Sequence, residues 1–93
     1  MTSLKIAHIR EQGQDMIIAP LAGSFEHKSA AEQSAAVNEI QVAARSAGLR
    51  GTVVVFWPSG GRIKFIGPRP WHPFLRSLSM QHIQMNLNRT LSW

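Results

Sequence analysis

Two short segments of the sequence, 48 positions apart, constrain the fold more than any other feature. GQDMIIAP at 13–20 and GRIKFIGP at 61–68 each begin with glycine, continue as a run rich in apolar residues and end in proline. Glycine permits the tight turn before a returning strand, and proline ends a strand because it donates no ladder hydrogen bond. The pattern predicts two β-hairpins of similar construction.

An internal duplication is the simplest explanation of this similarity. An offset of 48 also aligns Ser29 with Ser77 and Asn38 with Asn86. Ninety-three residues support one modest core, so we expect a single domain, 1–93, built from pseudo-repeat units 1–48 and 49–93. The alternative is that any two hairpins share a glycine and a proline by composition.

The first unit has a clear helix after its hairpin. LKIAHIR and DMIIAPL are typical of strands, and a helix is expected to start at Ser29, whose hydroxyl can cap an early backbone N–H while Glu32 reaches back in a capping box. Its apolar residues recur at helical spacing, and Gly48 suits the left-handed residue that ends a helix.

The second unit repeats this order. TVVVFW and RIKFIG form the stronger hairpin, and a helix is expected from Pro73 through FLRSLSMQHIQMNLNRTL. We therefore predict an α+β fold, a ββαββα tandem repeat, in which two helices pack on one face of a four-stranded antiparallel sheet. The other face of that sheet would be open.

Charge is distributed very unevenly along the chain. Residues 1–48 contain four basic and all five acidic residues, whereas residues 49–93 contain six basic residues and no acid. A surface with that balance attracts polyanions such as DNA, RNA or an acidic protein. The alternative is that the cations only keep a small basic protein soluble.

The second hairpin would concentrate part of this charge around aromatic rings. A four-residue loop at 58–61 places Trp57 opposite Arg62, and Lys64 then lies on the same open face. Aromatic rings with interleaved cations suit single-stranded nucleic acid. The full predicted site is Trp57, Arg62, Lys64, Arg69, Trp71 and Arg76.

Three structural alternatives apply to this site. Trp57 can instead cover the stem of Arg62 by cross-strand packing, and Trp71 can fill the seam between the sheet and the helix. A slip of one residue in the turn would exchange the two faces of the hairpin.

The open face would also carry an apolar area, which predicts a second use. Apolar patches of this kind usually mark contact surfaces, and homodimerisation through the sheet is the simplest case. The predicted interface residues are Ala7, Ile9, Met16, Ile18, Val53 and Val55.

Catalytic and cofactor motifs are absent from the sequence. The single aspartate, Asp15, lies beside a turn, the four histidines are scattered, and no nucleophile elbow or phosphate-binding loop occurs. We expect a non-enzymatic protein with no metal and no cofactor. The chain has no cysteine, no apolar run long enough for a membrane span and no signal peptide, so we expect a cytoplasmic protein that does not bind membranes.

Overall fold

A computed structural model describes residues 2–93, which form an α+β fold with one mixed sheet. The five strands are β1 (Ser3–Glu11), β2 (Gln14–Pro20), β3 (Thr52–Ser59), β4 (Arg62–Ile66) and β5 (Arg89–Ser92). The three helices are α1 (Ala30–Ser46), α2 (His72–Arg76) and α3 (Met80–Met85). Along the sheet the strand order is β4-β3-β2-β1-β5.

The central strand, β2, is parallel to its neighbour β3, while the other three pairs of strands are antiparallel. The chain leaves β2, runs through α1 and enters β3 in the same direction, which is the crossover that parallel strands require. The α+β class was therefore correctly predicted, but the four-stranded, wholly antiparallel sheet was not.

Both predicted hairpins are present, each with a turn of two residues. The φ angles are 50° at Gln12, 78° at Gly13, 54° at Gly60 and 80° at Gly61. Positive φ at both turn positions is the geometry that matches the twist of the flanking strands. The second turn is two residues shorter than predicted, so Trp57 pairs with Lys64 rather than with Arg62. A shift of two residues keeps every side chain on its expected face.

Helix α1 has both of its predicted ends. Ser29 N donates to Glu32 Oε1 at 3.0 Å and Glu32 N donates to Ser29 Oγ at 3.2 Å, which completes the capping box. Gly48 follows the helix with φ of 79°. The buried side of the helix is small, with Ile40, Ala43 and Ala44 against the sheet.

Helix α1 also holds the beginning of β3. The Gln41 side chain donates to Gly51 O at 3.1 Å and accepts from Val53 N at 2.9 Å. One amide thus satisfies backbone groups on both sides of the point where β3 joins the sheet beside β2.

The last third of the chain is not the single helix that its apolar spacing predicts. It forms α2, α3 and the strand β5, because Ser79 Oγ accepts from His82 N at 3.0 Å and so begins a new helix. Asn88 then starts the return to the sheet. Its side chain accepts from His8 N at 2.8 Å and donates to His8 O at 3.0 Å, in the way that a strand residue would.

Helices cover both faces of the sheet, so the prediction that they share one face was wrong. The first core lies under α1 and includes Ile17, Val53, Val55 and Leu91. The second core lies under α2 and α3 and includes Val54, Phe56, Leu75 and Ile83. The α1 crossover occupies one face, and the segment from β4 to β5 joins opposite edges of the sheet by crossing the other face.

A ββαββα repeat is not confirmed. The equivalent positions Ile18 and Ile66 lie on opposite faces of the sheet, one in the second core and the other packed against the first. Strand β5 also has no counterpart in the first half. It pairs with β1, and the ladder continues through Thr2 N to Trp93 O at 2.6 Å and Trp93 N to Thr2 O at 2.9 Å.

We expect Gly51→Ala to destabilise the protein more than Gly48→Ala. Gly48, at φ 79°, lies near the left-handed helical region, which costs alanine about 1–2 kcal/mol, and Gly51, at φ 123°, lies where alanine is less tolerated still. A Cβ at Gly48 would meet nothing within 4 Å, whereas a Cβ at Gly51 would lie 2.5 Å from Asp15 O, in the neighbouring β2. Denaturant unfolding of the two variants measures the difference. Equal losses would contradict the close approach of Gly51 to β2.

Candidate functional site

Trp57 is part of the first core and not of an exposed platform. Only 4% of its surface is exposed, and its ring lies 4.8 Å from that of Phe25, centroid to centroid. Phe25 belongs to the short 3-10 helix Gly23–His27, which covers the end of β3. The prediction of an open aromatic face was therefore wrong. Trp57 has a packing role, as its alternative interpretation proposed, although the ring packs on Phe25.

Glu26 in the same 3-10 helix links Trp57 to Lys64. Trp57 Nε1 donates to Glu26 Oε2 at 2.6 Å, and Lys64 Nζ lies 2.7 Å from Glu26 Oε1. The Lys64 hydrogen bond and then the Trp57 indole hold the pKa of Glu26 below its usual value, since both stabilise the carboxylate. The site residue Lys64 thus already carries one anionic partner.

The other predicted site residues are divided between surface and core. Arg62, Arg69 and Arg76 are exposed, and within residues 2–93 none of them forms an ion pair. Trp71 is half-buried against the second core, which agrees with its interpretation as a seam residue. Of the six predicted residues, the three arginines are therefore the ones whose charge is freely available.

A groove runs along β4, at the edge of the sheet. Its volume is about 540 Å³, and it brings together Arg62 and Lys64 of β4 with Arg76 of α2. Arg62 and Lys64 point to the side covered by α1, because they share a face with Trp57, whereas α2 lies on the opposite side. Cations from both sides of the sheet therefore flank one edge. Arg69 follows β4 in the chain but does not line the groove.

The backbone of β4 has an unpaired side. A two-residue turn joins a hydrogen-bonded pair, here Ser59 and Arg62, and pairing alternates along the ladder from there. The N–H and C=O groups of Arg62 and Lys64 thus face β3, while those of Ile63 and Phe65 face outward. Sequence reasoning did not single out this edge. The residues near β4 do not show that the remaining strand, β5, adds to the sheet beside β1 and not beside β4.

The predicted dimer interface is not a surface. Ala7, Met16 and Ile18 are buried in the second core, and Val53 and Val55 are buried in the first. The parallel register explains the division, because it pairs Ile17 with Val53 and Ile18 with Val54, so that Val53 does not share a face with Ile18. The sixth residue, Ile9, is half-buried against the second core. In residues 2–93 the exposed large apolar side chains are Val42 and Met85.

Two of the four histidines hydrogen-bond to the backbone through their side chains. His8 Nε2 lies 2.8 Å from Arg50 O, and His72 Nε2 lies 3.1 Å from Gly67 O. Over residues 2–93 no three histidine or acidic side chains are grouped so that they could hold a metal ion. No helix in this range has the length and apolarity needed to cross a membrane.

Comparison with known proteins adds no relative: no family model, curated protein or solved structure matches this chain significantly.

We expect the carboxylate of Glu26 to contribute stability that is present near neutral pH and lost in acid. A folded-state pKa below the unfolded value means that the contribution is complete above the unfolded pKa, about 4.3, and declines as the pH falls through the folded value. Glu26→Gln should lower Tm at pH 7 and reduce the fall of Tm between about pH 5 and pH 3.

Glu11→Gln is the matched control for this experiment, since the Glu11 side chain makes no hydrogen bond within the described residues. It should leave the Tm profile close to that of the parent protein. If Glu26→Gln and Glu11→Gln give the same profile, the link from Glu26 to Trp57 and Lys64 does not stabilise the fold.

Proposed function

We propose that this protein is a small non-enzymatic binding module that holds an anionic chain molecule along the β4 edge. The observation that carries the proposal is the β4 groove, where Arg62 and Arg76 flank one edge of the sheet without an ion pair within the described residues. Lys64 lines the same groove and is paired with Glu26. Arg69 is exposed and follows β4 in the chain, so we propose it as a further contact outside the groove lining. The partner is DNA, RNA or an acidic protein.

The surrounding charge supports this proposal. No acidic residue occurs after Glu39, so the seven basic residues from Arg45 to Arg89 have no acidic neighbour in the sequence. Lys64 is the one of them that pairs with a carboxylate, Glu26, within the described residues. Arginine suits such a role because its planar guanidinium group binds phosphate or carboxylate through two parallel hydrogen bonds. A chain carrying several anions would engage several of these cations at once.

The buried position of Trp57 limits how the partner is held. Stacking on aromatic rings, which supplies much of the affinity of single-stranded nucleic-acid binders, is not offered by a ring that is 4% exposed. Binding would therefore depend on charge, with a steep dependence on salt.

The residues that line the groove favour a binding role over catalysis. Apart from its three cations the groove is lined by Trp57, Ile63, Phe65, Leu75 and Leu78. None of these side chains is a nucleophile or a general acid or base at neutral pH. The same proposal involves no cofactor and a cytoplasmic protein, with which a chain that forms no disulfides is compatible.

The double variant Arg62→Ala/Arg76→Ala tests the proposal. Fluorescence anisotropy with labelled 20-nucleotide single- and double-stranded DNA and with polyglutamate should show binding by the parent protein in 50 mM salt. We expect the variant to bind at least tenfold more weakly, and the slope of log K against log salt for DNA to fall by about two, because two phosphate contacts are lost.

The control variant Lys5→Ala/Arg10→Ala removes the same charge from exposed positions on β1. It should retain most of the affinity. Equal weakening by both variants would mean that only net charge matters, and the absence of binding to all three probes in 50 mM salt would rule the proposal out.

A further inference from the structure

We infer that the preferred occupant of the β4 edge is an extended peptide with acidic residues at alternate positions, which pairs with β4 as a sixth strand. This inference rests on the proposed function and names the class of anionic chain. Three features of β4 carry it: its unpaired backbone, the alternation of its side chains and the charge of the strand itself.

The backbone of the edge selects a peptide over a nucleic acid. Ile63 and Phe65 each direct one N–H donor and one C=O acceptor away from β3. Another peptide strand satisfies both kinds of group, as in the β-augmentation by which proteins bind extended peptides. A phosphodiester chain offers acceptors to the two N–H groups but no donors from its phosphates to the two carbonyl groups.

The side chains of β4 select the sequence of that peptide. Arg62 and Lys64 point to the α1 side, whereas Ile63 and Phe65 point to the α2 side, where both are half-buried against the second core. Side chains directly opposite each other on paired strands interact, so a carboxylate is favoured beside Arg62, which has no ion pair within the described residues. The attraction is weaker beside Lys64, which already pairs with Glu26, and apolar groups are favoured beside Ile63 and Phe65. The complementary strand alternates acidic with apolar or β-branched residues.

Charge also argues against a second copy of the protein as the occupant. Antiparallel pairing of two β4 strands centred on Ile63 would place Arg62 of each copy opposite Lys64 of the other. Pairing centred on Lys64 would place that ammonium group opposite its own counterpart. Like charges opposite each other destabilise a sheet, and Lys on an edge strand is a common protection against such pairing.

The length of β4 sets the length of the peptide. Five residues at about 3.4 Å each span roughly 17 Å, so five to seven residues are sufficient. A suitable probe is the capped peptide Glu-Val-Glu-Thr-Glu-Val-Glu. Two controls keep its composition and charge. The first is the rearranged peptide Glu-Glu-Val-Thr-Val-Glu-Glu. The second is the original sequence N-methylated at the Val and Thr amides, which are the ones that would face β4.

The experiment titrates the ¹⁵N-labelled full chain with each peptide in 50 mM salt and measures affinity together with amide hydrogen exchange. We expect the alternating peptide to bind at least tenfold more tightly than either control. Exchange at Ile63 and Phe65 should slow at least tenfold, while that of Arg62 and Lys64, whose amides face β3, should change little. Arg62→Glu should reduce affinity for the peptide at least tenfold.

Failure of this inference is distinguishable from failure of the proposed function. If DNA binds with the expected dependence on Arg62 and Arg76 but no peptide protects Ile63 and Phe65, strand pairing is overturned and anion binding stands. Equal binding of the three peptides also overturns strand pairing. If neither DNA, polyglutamate nor the peptides bind, both proposals fail, and the cations only guard the edge.

Discussion

The parallel pairing of β2 with β3 is the constraint on which the rest of the structure depends. It commits the chain to a helical crossover, and Gln41 of α1 secures it by bonding to Gly51 O and Val53 N where β3 begins. With β2 and β3 in the interior of the sheet, both faces of the sheet carry apolar side chains, and each face must be covered. The long return from β4 to β5 provides the second cover, and it also leaves β4 as an edge.

That edge is protected by charge and connected to the core by one acid. Glu26 accepts from the buried indole of Trp57 and from the exposed ammonium group of Lys64, so it connects a core ring to the surface of β4. The basic residues around β4 thus differ in role, one being structural and the others available for binding. Lys64 is held in place by a structural contact, while Arg62 and Arg76 stand without an ion pair in the described part of the chain and supply the charge that a partner would meet.

The sequence predicted the structural features that depend on neighbouring residues, and it did not predict those that depend on residues distant in the chain. Both hairpins, the capping box at Ser29 and the end of α1 at Gly48 follow from local backbone chemistry, and they are present. The direction in which β3 joins β2, the breaking of the last predicted helix and the position of β5 are set by long-range packing. The site prediction was correct for the local arrangement of the hairpin and wrong about what covers it. Trp57, Arg62 and Lys64 do share a face, but the covering of that face by α1 and the 3-10 helix could not be inferred from the hairpin alone.

The pairing of β1 with β5 joins the two most distant strands of the sequence. Leu4 lies opposite Leu91, and Leu91 is a buried member of the core under α1. Because contacts of high sequence separation carry the largest loop-closure cost, this ladder should assemble late in folding. The core beneath α1 would then be completed only when the end of the chain pairs with β1, so Ile6, which lies on β1 and is fully buried in the finished molecule, would be covered last.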